Sequence, residues 1–378
     1  MTGITVKSGV NISYLPLAVA AKLTQMHRKV IHSYSRSFIV AIMATLLSFG
    51  TGCDNTLDVT ADWKEIPVIY GLLNPSASAN FIRINRAYLN ETGDAVQFAQ
   101  EPDSIYFKDL TVQLIEYRNN QELNTINLEL VNGDSLGLAK DTGVFANSPN
   151  YLYRTNYDIK STDFSQLYRY ELVVINNESG NVYRANANMV GNAELLAPFR
   201  VTKPHFSIED DTNRFFYMIY REGPQAKMYD CVIRFRYLEY DTTDPSITWM
   251  DSVDWTIFSN RETIRLTGYQ EQQTAIKSYL FYQFLASAIE EKPNIERKPF
   301  DMGVYRYGGG EDLYTYIEVN KPSIGIVQKK PEYTNIENGL GIFSSLNILA
   351  YPHATIDDPM ITQLVSSPRI DHLNFVRP

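Results

Sequence analysis

Apolar and polar residues alternate along most of this chain at the two-residue period of a β-strand. Residues 67–73 (PVIYGLL) read as a strand that ends at the turn signal Asn74-Pro75. Residues 81–88 alternate as well, with Phe81, Arg83 and Asn85 on one face and Ile82, Ile84 and Arg86 on the other. Charges on both faces suggest an edge strand. Residues 110–117 place Leu110, Val112 and Leu114 inward, and a strand over 123–131 follows the Asn119-Asn120 turn. Residues 168–175 and 182–190 pair as a hairpin across Asn176 to Gly180. Short strands at regular spacing, with turn residues between them, predict an immunoglobulin-like β-sandwich over 65–202.

A proline-bearing segment at 197–204 predicts a linker into a second β-rich domain over 203–378. Residues 214–220 and 228–240, joined by Glu222-Gly223-Pro224, read as a long hairpin, with further strands at 248–257 and 263–266. Residues 270–292 lack Pro and Gly. There Ile276, Tyr279, Leu280, Phe284 and Leu285 fall at helical spacing, which predicts the one substantial helix. A short helix is predicted after Gly308-Gly-Gly310, where Glu311 and Asp312 suit the positive N-terminal dipole and Leu313, Tyr316 and Ile317 share a face. Asn335, Asn338, Gly339 and Gly341 mark a shaped turn, with Ile336, Leu340, Ile342 and Phe343 anchoring it. The fold class is mainly β, and 26 Tyr with 18 Phe agree, because aromatics pack well on pleated faces.

The first 52 residues depart from this pattern. They contain no Asp or Glu, and the apolar run 38–49 follows Arg28, Lys29 and Arg36. The run is too short to span a bilayer, which takes roughly 20 residues. It has the length of the hydrophobic region of a secretion signal, so 1–52 reads as a signal peptide, with Met26 the more natural start. Gly50-Thr-Gly-Cys53 resembles a bacterial lipobox, with Gly50 in place of the usual Leu, Val or Ile. That resemblance makes Cys53 the lipidation site, carrying a covalent diacylglycerol, and 53–64 a polar tether. Asp54 and Asp58 resemble the acidic signals that send lipoproteins of the Bacteroidota to the cell surface.

The leader carries five basic residues, so the formal charge of −9 for the whole chain becomes −14 from Cys53 onward. An acidic surface argues against nucleic acid and against electrostatic docking on anionic lipid. Attachment would come from acyl chains, at about 0.8 kcal/mol per buried methylene. With Cys53 acylated, Cys231 has no disulfide partner and reads as a small buried hydrophobe.

The expected function is non-enzymatic. No nucleophile elbow is expected, and no phosphate-cradling Gly-x-x-x-x-Gly-Lys is present. His205, His353 and His372 each stand without a metal-ligand spacing, so no metal site is expected. Trp249 and Trp255 flank the acidic segment Asp251-Ser-Val-Asp254 and are the candidate ligand contacts. Near the C-terminus, residues 309–320 (GGEDLYTYIEVN) and 325–345 (GIVQKKPEYTNIENGLGIFSS) resemble the signature of an outer-membrane lipoprotein family of the Bacteroidota whose function is unassigned. Some relatives are encoded near TonB-dependent transporters. The resemblance implies a lipid-anchored outer-membrane protein, surface-exposed, serving as an accessory or binding subunit of an envelope complex. A stand-alone glycan- or peptide-binding lipoprotein is the alternative, in which Trp249 or Trp255 lines a groove.

Overall fold

The computed structural model describes residues 65–87, 99–200, 203–244, 246–322 and 332–378. The leader, Cys53 and the tether lie outside the described residues, as do residues 325–331 of the C-terminal signature. Lys64–Pro378 forms one compact unit. The first half contributes β1 (Ile66–Leu73), β2 (Asn80–Ala87), β3 (Leu110–Arg118), β4 (Gln121–Asn127), β5 (Glu129–Asn132), β6 (Tyr151–Thr155), β7 (Tyr168–Asn176) and β8 (Val182–Asn188), with the one-turn helix α1 (Pro102–Ile105). The second half adds β9 (Glu194–Ala197), β10 (Phe199–Arg200), β11 (Lys203–Phe206), β12 (Phe215–Arg221), β13 (Met228–Asp241), β14 (Thr248–Glu262), β15 (Glu271–Lys277), β16 (Ile295–Gly309) and β17 (Leu340–Ile356). Its helices are α2 (Tyr279–Ala288), α3 (Glu311–Asn320) and α4 (Asp358–Ser366). The protein is mainly β.

One long sheet runs β14-β13-β16-β17-β1-β2-β6-β5, with β10 and β11 attached beside β17. A four-stranded sheet, β4-β3-β7-β8, faces its β1-β2-β6 end. Between these two layers lies the first core. Ile69, Ile82, Ile84 and Tyr153 come from the long sheet, and Val112, Leu114, Tyr170, Leu172 and Ala185 from the facing one. The second core lies under the β13-β14-β16 end. There Ile233, Phe235 and Val304 meet Phe216 and Met218 of the β15-β12-β9 sheet, Phe281 and Leu285 of α2, and Met360 and Leu364 of α4.

The last strand stitches the halves together. β17 pairs in parallel with β1 from Val68↔Leu340 to Leu73↔Ser345, then antiparallel with β16 from Gly309↔Leu346 to Met302↔Ala354. Its Phe343 is fully buried in the first core. The boundary drawn at residue 202 is therefore crossed by the end of the chain. At this crossing Asn338 (φ 57°) and Gly341 (φ 100°) take positive φ, whereas Asn335 and Gly339 do not. A Cβ on Gly341 would stand 2.0 Å from the Ile69 carbonyl oxygen, so only glycine lets β17 lie against β1. Ile336, Ile342 and Phe343 are buried, but Leu340 is exposed.

Several expected elements differ. Residues 270–292 are not one helix: Glu271–Lys277 is a strand paired with β12, and only Tyr279–Ala288 is helical. Along 271–277, Thr274 and Ile276 alternate inward, and pairing with β12 overrides the apolar spacing. Residues 263–266 are irregular rather than a strand, with a bend at Ile264 and a turn beginning at Leu266. β2 is not an edge; it lies between β1 and β6, with Ile82 and Ile84 in the core. The strand expected over 123–131 is two, β4 pairing in one sheet and β5 in the other. β12 and β13 do not form a hairpin, because β12 pairs with β15 and β9. The segment read as a linker is itself structured: β9 pairs with β12, and β10 with β11. Helix α4 was not expected. Asp357 caps it by accepting from the Met360 N–H at 3.0 Å, and Asp358 suits its first turn. Among the described residues no helix is long and apolar enough to cross a membrane.

Candidate functional site

β14 is the terminal strand of the long sheet and runs for 15 residues. Among the described residues it pairs only with β13, so one side of its backbone has no strand partner. Such a side offers a row of N–H and C=O groups to another extended chain. Its register with β13 is continuous from Val232↔Thr256 to Tyr240↔Thr248, and the irregularity lies beyond, near Phe258.

A groove of about 440 Å³ follows this free edge, between β14 and α2. Trp255, Thr256 and Ile257 form one wall and Leu280, Gln283 and Phe284 the other, with Ile276 below. Three consecutive strand residues line it, although successive side chains point to opposite faces. The groove therefore abuts the backbone edge itself. The Trp255 ring stacks on Phe284 (centroids 6.1 Å apart, planes at 20°) and tilts against Phe281 (5.4 Å). It is half-buried and held rigid, while Leu280 opposite is exposed. On the other face Arg234 grips Asp254 with two hydrogen bonds of 2.7 and 2.8 Å. Those bonds hold the Asp254 carboxyl below the usual range.

The two candidate tryptophans do not meet. They share a face, but six residues of strand separate them by about 20 Å. Trp249 is 37% exposed, beneath the Lys292 ammonium at 5.8 Å, and lines no part of the groove.

Pairing across the sheet also assembles groups that spacing in the sequence hides. Arg236, Asp301 and His353 come from β13, β16 and β17. Arg236 Nε donates to Asp301 Oδ1 at 2.5 Å, and His353 Nδ1 lies 2.7 Å from Asp301 Oδ2. Among the described residues no hydroxyl or thiol is hydrogen-bonded to His353, so the set is a surface ion-pair network. His205 likewise stands 3.6 Å from Asp357. Only strand register could have revealed the first of these.

One motif contradicts the expectation of no nucleophile-elbow pattern. Gly133-Asp-Ser-Leu-Gly137 has the Gly-x-Ser-x-Gly spacing. An elbow needs its serine raised on a turn between strand and helix, beside a histidine. Here Gly133–Leu136 is a single 3-10 turn closed by Gly137 at φ 75°. The Ser135 hydroxyl donates to the Asn132 carbonyl at 2.7 Å, and no histidine bonds to it among the described residues. The motif builds a turn. Among the described residues no three His, Cys, Asp or Glu side chains group as metal ligands would. Cys231 is fully buried, and burial pushes its thiol up to about 12. No protein-family model matches the chain, and no curated protein matches it.

Proposed function

We propose that this protein is an outer-membrane lipoprotein, anchored through a diacylglycerol on Cys53, that acts without catalysis as an accessory or binding subunit of an envelope complex beside a TonB-dependent transporter. The leader pattern and the C-terminal resemblance support the anchor and the setting. The observation that carries the binding role is the β14–α2 groove. A free strand edge supplies main-chain hydrogen bonds, and the apolar walls beside it receive alternate side chains; an extended segment of a partner needs both. The same groove also supports the stand-alone reading, since Trp255 lines it as a glycan- or peptide-binding site would require.

The test is a pull-down of tagged protein from native membranes in mild detergent, with Cys53→Ala as control. The expected result is one large outer-membrane protein in fixed ratio with the lipidated form. Recovery of the lipidated protein alone would overturn the accessory-subunit reading in favour of the stand-alone one.

A further inference from the structure

The other half of the long sheet carries a second groove, of different chemistry. It lies on the outer face of β1 and β2, turned away from the first core, with a volume of about 650 Å³. Tyr70 and Arg83 form its floor, and Arg86 flanks them. Lys140, Asp141 and Phe145, from the loop after the Gly133–Leu136 turn, form its wall. Volumes of roughly 300–1,000 Å³ are typical of small-molecule sites.

Among the described residues three cations line this groove, in a chain whose acidic residues outnumber its basic ones, 43 to 34. Arg83 and Lys140 have neutral oxygens for partners. Arg83 Nη2 donates to Asn150 Oδ1 at 3.2 Å, and Lys140 Nζ donates to the Ala146 carbonyl at 2.9 Å, over the Tyr106 ring. Neither makes an ion pair among the described residues. Among the described lining residues Asp141 is the one carboxylate, and it is exposed.

The arrangement is supported from behind. Asn150, 1% exposed, holds Arg83 through its Oδ1 and grips the loop through Nδ2, which donates to the Leu138 carbonyl at 2.5 Å. Its backbone N–H donates to Asn132 Oδ1 and Asp134 Oδ2, both at 3.2 Å. One buried amide therefore joins the β2 cation to the loop that carries Lys140. Beside them, Tyr70 is 43% exposed and Phe145 58% exposed. An aromatic surface next to uncompensated, pre-positioned cations matches a ligand with an acid group on an apolar body.

We infer that this groove binds a small organic anion, with its acid group met by Arg83 and Lys140 and its apolar body lying on Tyr70 and Phe145. The site is independent of the β14 edge. The test uses the Cys53→Ala chain with two fluorescent probes, anionic 8-anilinonaphthalene-1-sulfonate and uncharged N-phenyl-1-naphthylamine. The sulfonate should bind at least about tenfold more tightly than the neutral probe, and more weakly as salt is raised. Arg83→Gln with Lys140→Gln should weaken the sulfonate by about tenfold or more and leave the neutral probe and the circular dichroism unchanged. Equal affinity for the two probes, a sulfonate affinity indifferent to salt, or full sulfonate binding by the double variant would overturn the inference. So would the absence of sulfonate binding up to about 1 mM. The salt dependence is read on the unsubstituted groove, so it decides even where the variant folds poorly.

Discussion

Among the described residues the first half buries the carboxylate of Glu116 and the second those of Glu222 and Glu239, and Glu116 and Glu239 are held in different ways. In the first half Glu116, 2% exposed, accepts from the Tyr157 hydroxyl (2.7 Å), the Asn124 amide (2.8 Å) and the Tyr170 hydroxyl (3.1 Å). In the second half Glu239, fully buried, is paired with Arg297 at 2.8 Å and Lys292 at 3.0 Å. Arg297 spends its other donors on the carbonyls of Leu373 and Glu290, tying the chain end to β16. The outer grooves follow the same division. In the second half Arg234 and Arg236 are also taken up by Asp254 and Asp301, and its groove is left with a backbone edge and apolar walls. In the first half neutral donors satisfy the core, and Arg83 and Lys140 keep their charge for the groove. Where carboxylates consume the cations, the surface can recognise a polypeptide backbone; where they do not, it can recognise an anion.

The largest effect should come from breaking the ionic core. Arg297→Met leaves Glu239 buried with only Lys292, at a cost of about 3–5 kcal/mol in urea unfolding. Tyr157→Phe removes one of three donors to Glu116 and should cost about 1 kcal/mol. Equal losses would erase the distinction between the halves. A smaller change should separate docking from stability. Leu280→Glu places a charge in the β14–α2 groove from an exposed helix position, so partner recovery should fall away while stability moves by about 0.5 kcal/mol or less. Unchanged recovery would remove the groove from the docking account.

Alkaline pH tests the buried tyrosines, among them Tyr157 and Tyr153 of the first half and Tyr229 of the second, which burial also pushes up to about 12. Burial, then the hydrogen bond to Glu116, pushes Tyr157 up to about 12; burial, then the Asp109 charge, does the same to Tyr153. Between about pH 10 and 12 the folded protein keeps protons that the unfolded chain has lost, so stability should fall as pH rises through that window. The urea midpoint followed beside phenolate absorbance checks this: a midpoint that holds steady while these tyrosines ionise in the folded state would contradict it. The smallest effect concerns Cys231. In a Cys53→Ala chain its thiol should resist alkylation at neutral pH until the protein unfolds, and rapid labelling of the folded form would show that the second core opens.

Much of the first half was legible because its strands alternate cleanly. Leu110, Val112 and Leu114 on β3, and the β7–β8 hairpin, lie where two-residue periodicity puts them, although Leu110 is only partly buried. The second half was less legible because long-range pairing decides it. Ile276 sits at helical spacing with Tyr279 and Leu280, yet β12 recruits it into a strand. Arg306 carries no signal of its own, but it is fully buried between the rings of Tyr220 (3.4 Å) and Tyr229 (3.9 Å), an arrangement created only by the packing of β12, β13 and β16. For the candidate site, the sequence singled out Trp255 but also Trp249, which lies elsewhere, and it could not show that β14 ends a sheet. The Asp301–His353 contact and the Arg83–Asn150–Leu138 chain join residues whose distance in sequence hides them.

If a partner adds a strand to β14, backbone hydrogen exchange will register it on that strand. Exchange along Thr248–Glu262 would be compared in the free protein and in the co-purified complex. Alternate amides between Trp249 and Ile257, those on the side away from β13, should gain protection in the complex. Protection elsewhere with β14 unchanged would contradict it.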